Sequence, residues 1–167
     1  MVEKDKLFES NVKHVGIWDF KETYRTLYEW LLNEGYDVNE KTYKEILGPG
    51  GEKEIEIEWK AYRKISDYFR FVIEVDWHIM RMTSVEAEIE GVKRKMNKGR
   101  IEVKIKTILE KDYEARWEGK AFFKFLRTMY DRYLVPARIE SYEEKLIGEG
   151  DELVAQLKAY LELVGKK

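Results

Sequence analysis

Between Glu54 and Trp117 apolar and charged residues alternate, beginning with Ile55, Ile57, Trp59 and Ala61 set between Glu54, Glu56, Glu58 and Lys60. A period of two is the signature of a strand with one buried and one solvated face. Directly opposed residues of a hairpin share a face, so the pattern also predicts register. A three-residue loop at Ser66 to Tyr68 places Ile57, Trp59 and Ala61 on the same face as Phe69, Phe71, Ile73, Val75 and Trp77, whereas a two-residue loop would put Arg70 and Glu74 there. A turn at Glu90-Gly91 opposes Ile89 to Val92 and Val85 to Met96 on one face, and Glu88 to Lys93 and Glu86 to Lys95 on the other. Lys98-Gly99 reads as a second tight turn, setting Met96 against Ile101, Val92 against Ile105 and Lys95 against Glu102. The last strand keeps one phase from Ile101 to Trp117, with a bend near Glu110 to Asp112.

The flanking segments supply the cover that an apolar sheet face needs. Leu7 to Ile17 reads as a first strand, with Phe8, Val12 and His14 in one phase. Asp19 and Glu22 form a capping pattern ahead of Phe20, Tyr24, Leu27, Tyr28 and Leu31 at helical spacing, and Gly35 supplies the stop. Asn39 predicts the cap of a second, shorter helix to Leu47, with Tyr43, Ile46 and Leu47 as its apolar side, closed by the loop Gly48-Pro49-Gly50-Gly51. After Gly119 the period turns helical through Phe122, Phe125, Leu126, Met129 and Tyr133 until Pro136 interrupts it. Ile139, Tyr142, Leu146, Leu153, Leu157, Tyr160, Leu161 and Val164 then hold helical phase across Gly148 and Gly150, favouring one long helix over two with a break before Asp151. The expected fold is α+β: a curved antiparallel β-meander with one face covered by helices and a long C-terminal helical region, in a single domain over residues 1–167.

Composition adds mostly exclusions. The chain has 44% hydrophobic and 38% charged residues, with 31 basic and 33 acidic side chains nearly cancelling to a net charge of -2, so no global field draws it to nucleic acid or an anionic membrane. With no cysteine and two histidines, it has no disulfides, thiolate chemistry or histidine-rich metal centre, and no metal ligand or cofactor is assigned. Met1 to Lys6 is charged and no apolar run reaches the roughly 20 residues of a membrane span, which reads as cytoplasmic, with no membrane insertion. Abundant Lys and Glu with a single Gln, Gln156, resemble the composition of thermophilic proteins.

Candidate chemistry is sparse, and no catalytic residue is assigned. The glycines after Leu47 lack the lysine and hydroxyl of a phosphate loop. The basic run Val92 to Lys106 could contact nucleic acid, but pairing of Lys93 and Lys95 with Glu88 and Glu86 argues for solvated sheet pairs. His14, in an apolar phase, reads as a satisfied half-buried side chain; His78 falls on the charged face beside Glu74 and Asp76. Asp112 with Glu114, and Asp131 with Arg132, are too ordinary in so acidic a chain to argue paired acid-base work. Arg63 and Arg94 fall in the apolar phase of their strands, where a guanidinium needs an acceptor: a ligand carboxylate or phosphate, a protein carboxylate, or water at a sheet end. The aromatics Trp59, Phe69, Phe71, Trp77, Phe122, Phe125, Tyr130 and Tyr133 fill a core or border a cleft.

The order of these elements, strand, helices, meander and C-terminal helix, resembles the helix-grip fold of the START, polyketide-cyclase and birch-pollen-allergen superfamily. The chain also looks like small uncharacterised archaeal proteins, which implies no activity. The helix-grip resemblance implies a hydrophobic ligand between sheet and C-terminal helix, among Trp59, Phe71, Ile73, Trp77, Tyr130 and Tyr133. The function expected is therefore non-enzymatic binding of a hydrophobic or amphipathic small molecule, with Arg63 or Arg94 holding an anionic head group. The alternatives are a homo-oligomeric or partner-binding module using Leu153, Leu157, Tyr160, Leu161 and Val164 of the C-terminal helix, and weak nucleic-acid binding through residues 92–106.

Overall fold

The computed structural model of the chain describes residues 3–111, 113, 125, 126, 128, 129, 132 and 136–165. The elements run β1 (Glu3–Trp18), α1 (Phe20–Asn33), β2 (Asp37–Leu47), β3 (Lys53–Lys64), β4 (Phe69–Ile89), β5 (Val92–Lys111) and α2 (Pro136–Gly165). One open antiparallel sheet has the order β1-β5-β4-β3-β2, so the two ends of the strand sequence, β1 and β5, are neighbours. The fold is α+β, as the alternation requires. No helix among the described residues is long and apolar enough to cross a membrane.

The apolar phases of the central strands form the core face. Ile55, Ile57, Trp59 and Ala61 of β3, Phe71, Ile73, Val75 and Ile79 of β4, and Ile101, Val103, Ile105 and Leu109 of β5 are all at most 1% exposed. The register predicted from the Ser66 to Tyr68 loop is observed: Ile57 opposes Trp77, Trp59 opposes Val75 and Ala61 opposes Ile73. The loop is tied by Phe69 N–H donating to Ser66 Oγ at 3.0 Å. The Glu90-Gly91 turn also holds, with Val85 opposite Met96 and Glu86 opposite Lys95.

Two predicted elements are corrected. Residues 39–47 are not a helix but most of β2, which pairs with β3 along its free edge and bulges between Glu40 and Thr42. A helix there would leave the N–H and C=O groups of β3 unpaired on that side. The apolar positions that suggested a helix stay largely open, with Tyr43, Ile46 and Leu47 respectively 47%, 56% and 68% exposed. The tight turn at Lys98-Gly99 is likewise absent: β5 continues through it, and Lys95 faces Glu86, not Glu102. The phase that shifts by a bulge is that of β4, from Ile79 to Met82, where Arg81 takes φ 54° and the register moves between Met80 and Thr83. Gly99 lies against this bulge, where a Cβ would stand 2.7 Å from the Arg81 carbonyl oxygen and 2.8 Å from that of Met80. The glycine serves close backbone approach instead of chain reversal.

Beyond the bulge, β4 and β5 extend as a two-stranded ribbon, since β3 pairing ends at Met82 and β1 pairing at Asn97. Among the described residues, two long helices cover the core face. Asp19 caps α1 by accepting from Glu22 N–H at 3.2 Å, and Leu27 and Leu31 are buried against the sheet. The C-terminal helix is continuous across Gly148 and Gly150, as its phase predicts, and starts at Pro136, a position where the missing N–H removes no helical bond. It lies mainly over β1 and β5, burying Leu146, Leu153, Leu157 and Leu161. Gly150 marks the crossing, where a Cβ would come within 2.8 Å of both Phe8 and Thr107. The helical stripe expected from Phe122 to Tyr133 and the strand extension to Trp117 fall mostly outside the described residues.

Candidate functional site

A cleft of about 530 Å³ opens at the end of the sheet where β4 bulges. Its apolar lining comes from Phe20 at the start of α1, Ile55 of β3, Met82 of the bulge and Met96 of β5. The start of α1 is tied to β5 through a side chain, because Phe20 N–H donates to Asn97 Oδ1 at 3.0 Å. The rim is polar, carrying Lys21, Glu22, Tyr43, Glu45, Lys53 and Lys95. Lys53 is occupied by Glu45 at 2.9 Å, a contact that raises its pKa. Burial, followed by the charge of Glu45, raises the Tyr43 phenol, so it remains a neutral donor at physiological pH. Lys21 and Lys95 make no ion pair within the described structure. The arrangement therefore offers an apolar floor and two available cations at its edge, suited to an amphipathic anion.

The residues singled out from sequence lie elsewhere. Trp59, Phe71, Ile73 and Trp77 are in the middle of the core, 0–2% exposed. The Trp59 and Trp77 rings meet edge to face at 5.2 Å, Tyr24 and Tyr28 of α1 close over Trp59 at 4.8 and 5.7 Å, and Tyr142 of α2 meets Phe71 at 5.9 Å. Their volume is occupied by one another's side chains. Polar tips are mostly accommodated at the edge of this cluster: Tyr24 Oη donates to Glu40 at 2.8 Å, and burial followed by that carboxylate pushes its pKa up to about 12. Trp77 Nε1 has no hydrogen-bond partner among the described residues. Tyr130 and Tyr133 lie outside the described residues.

Arg63 finds its acceptors within the chain. Its guanidinium meets Glu149 of α2 at 2.7 Å, donates to the Glu34 carbonyl oxygen at 2.7 Å and stacks over Tyr36 and Phe71. Tyr36 Oη donates to the other Glu149 oxygen at 2.6 Å; burial, then this carboxylate, raises the phenol far above its ordinary range. This assembly clamps α2 to the end of α1 and to β3. Arg94 is exposed on the ribbon opposite Ala87, near the far end of β4 from Phe71, the partner of Arg63, so the two guanidinium groups do not converge. Its charge does reach Tyr160, whose phenol burial and the Asp19 and Glu22 carboxylates hold at about 12.

The remaining sequence candidates resolve simply. His14 is half-buried, edge-on to Trp18 and 3.3 Å from the Ile17 carbonyl oxygen, a satisfied side chain. Part of the basic run is matched by acids: Lys93 faces Glu88, Lys104 meets Glu9 at 2.8 Å, and Arg100 meets Glu102 at 2.7 Å. Of the C-terminal stripe, Leu153, Leu157 and Leu161 are buried against the chain's own sheet. Sequence reasoning missed the cleft because two of its walls are the segments corrected above, β2 and the bulge on β4. A search with protein-family models, curated proteins and solved structures finds no match to this chain.

Proposed function

We propose that the chain binds a small amphipathic anion non-enzymatically, with the apolar part of the ligand on Phe20, Ile55, Met82 and Met96 and its anionic group toward Lys21 and Lys95. The observation that carries this reading is the cleft itself. Its volume of about 530 Å³ falls in the range of small-molecule sites, and its lining combines the apolar residues Phe20, Ile55, Met82 and Met96 with a charged rim of both signs. The order of elements, similar to helix-grip proteins, supports a ligand on the concave side of the sheet, and the packed aromatic interior moves the expected position from the core to this open end. Long-chain or aromatic carboxylates and sulfonates have the required shape.

Decanoate and anilinonaphthalene sulfonate serve as probes, the first by native mass spectrometry and the second by fluorescence. Saturable one-to-one binding is expected. Reversing both rim charges with Lys21→Glu and Lys95→Glu should weaken it by about tenfold or more, the effect of roughly 1.4 kcal/mol. Binding that is non-saturable, or indifferent to the double reversal, would overturn the assignment.

A further inference from the structure

On the opposite, charged face of the sheet, three side chains of metal-binding type converge. Strand alternation puts Glu54 and Glu56 of β3 on one face, and the β3–β4 register sets His78 directly across from Glu56. His78 Nε2 lies 2.9 Å from Glu54 Oε1 and 3.9 Å from Glu56 Oε1, and one donor atom from each residue falls within 4.8 Å of the other two. Neighbouring ligand atoms around a cation with bonds of ~2.1 Å stand about 3–3.5 Å apart, so small side-chain rotations would close this trio onto one ion.

We propose that Glu54, Glu56 and His78 bind a divalent first-row transition cation. The donor set of one imidazole nitrogen and two carboxylates fits Mn²⁺, Co²⁺, Ni²⁺ or Zn²⁺ better than the all-oxygen shells preferred by Ca²⁺ and Mg²⁺ or the sulfur ligands preferred by Cu⁺. Two further features support the site. Lys44 stands opposite Glu56 across β2 without an ion pair to it, Lys53 and Arg100 are engaged by Glu45 and Glu102, and the ion pairs of Glu54 and Glu56 within the described structure are with His78 alone. Two carboxylates held side by side with only an imidazole between them attract a compact double charge. The scaffold is also stiff, since Ile55, Ile57 and Ile79, which alternate with the donors, are 0–1% exposed in the core. Glu54 additionally borders a hollow of about 290 Å³ lined by Ile46, Gly48, Met80 and Arg81, leaving room for water or a small anion in the open coordination positions.

The test uses the full chain freed of metal with a chelator. Calorimetric titration with Zn²⁺ should show one saturable site, weakened at least about tenfold by His78→Ala, by Glu54→Gln and by Glu56→Gln, and unchanged by His14→Ala. Because the chain has only two histidines, Mn²⁺ should broaden the ring resonances of one and leave the other sharp. All four substitutions replace exposed or half-exposed side chains, and matching thermal unfolding curves would show that the fold is kept. Failure of Zn²⁺ to saturate a site, binding that survives His78→Ala, or Mn²⁺ broadening at His14 would each overturn the proposal. The site lies on the other side of the sheet from the anion cleft, and the two assignments succeed or fail independently.

Discussion

Asp76 sits on the charged face of β4 between Glu58 on one neighbouring strand and Lys104 on the other. Burial, and after it the Glu58 charge, raises its carboxyl above the ordinary value despite Lys106 and Lys104. The folded chain therefore holds this proton more tightly than the unfolded chain, and ionised Asp76 reduces stability at pH values above its folded pKa. Asp76→Asn is expected to raise the melting temperature at pH 7, with the gain shrinking as the solution is acidified into the carboxylate range; equal shifts at pH 7 and pH 4 would contradict this. Glu149 has the opposite role. Replacing it with Gln leaves Arg63 with one carbonyl acceptor and two aromatic faces but no counter-charge, a loss of about 2–4 kcal/mol in urea unfolding. Replacing Arg63 and Glu149 together with methionine should recover much of that loss, because no unpaired charge is then buried. The phase of Arg63 marked it as needing an acceptor. Glu149 could not be identified from sequence, because it lies on a helix whose rotation about the sheet no local pattern specifies.

Two glycines of α2 separate helix propensity from packing. A Cβ on Gly148 meets nothing within 4 Å, so Gly148→Ala should stabilise by up to about 1 kcal/mol. On Gly150 the same carbon lies 2.8 Å from Phe8 and from Thr107; lifting the helix off the sheet should cost about 1–3 kcal/mol, exceeding the propensity gain. Opposite signs in chemical unfolding are the expected result, and two stabilising substitutions would show that α2 does not press on β1 and β5 at this point. The continuity of this helix was legible because eight apolar residues hold one phase. The strand β2 was not, because Tyr43, Ile46 and Leu47 have helical spacing and little burial in either reading; the free edge of β3 decides the outcome. Both outer strands carry a bulge, at Lys6 to Phe8 in β1 and at Glu40 to Thr42 in β2, and display lysines, features that discourage further strand addition.

At the scale of the whole molecule, the β3–β4 and β4–β5 registers were readable because each of those loops joins strands adjacent in sequence and both strands alternate. The β1–β5 pairing was not, since it joins segments separated by most of the chain. The same distinction divides the two candidate sites. His78 opposite Glu56 follows arithmetically from the Ser66 to Tyr68 loop, whereas the anion cleft needs α1, β2, β3, β4 and β5 brought together around the bulge. The bulge has one more consequence. Past Thr83 and Asn97 the β4–β5 ribbon has no third strand, and a lone two-stranded ribbon is marginal in water. Opening the ribbon leaves the five-stranded portion intact, so amide deuterium uptake should fall along β4 in a gradient. Peptides covering 84–96 should exchange early through local fraying, and those covering 71–79 only with global unfolding. Uniform protection along β4 would mean that the ribbon is braced from outside the sheet. With fraying, Met96 and Lys95 would leave the cleft wall each time the ribbon opens, so the lifetime of the closed ribbon sets an upper limit on how long a bound anion is retained.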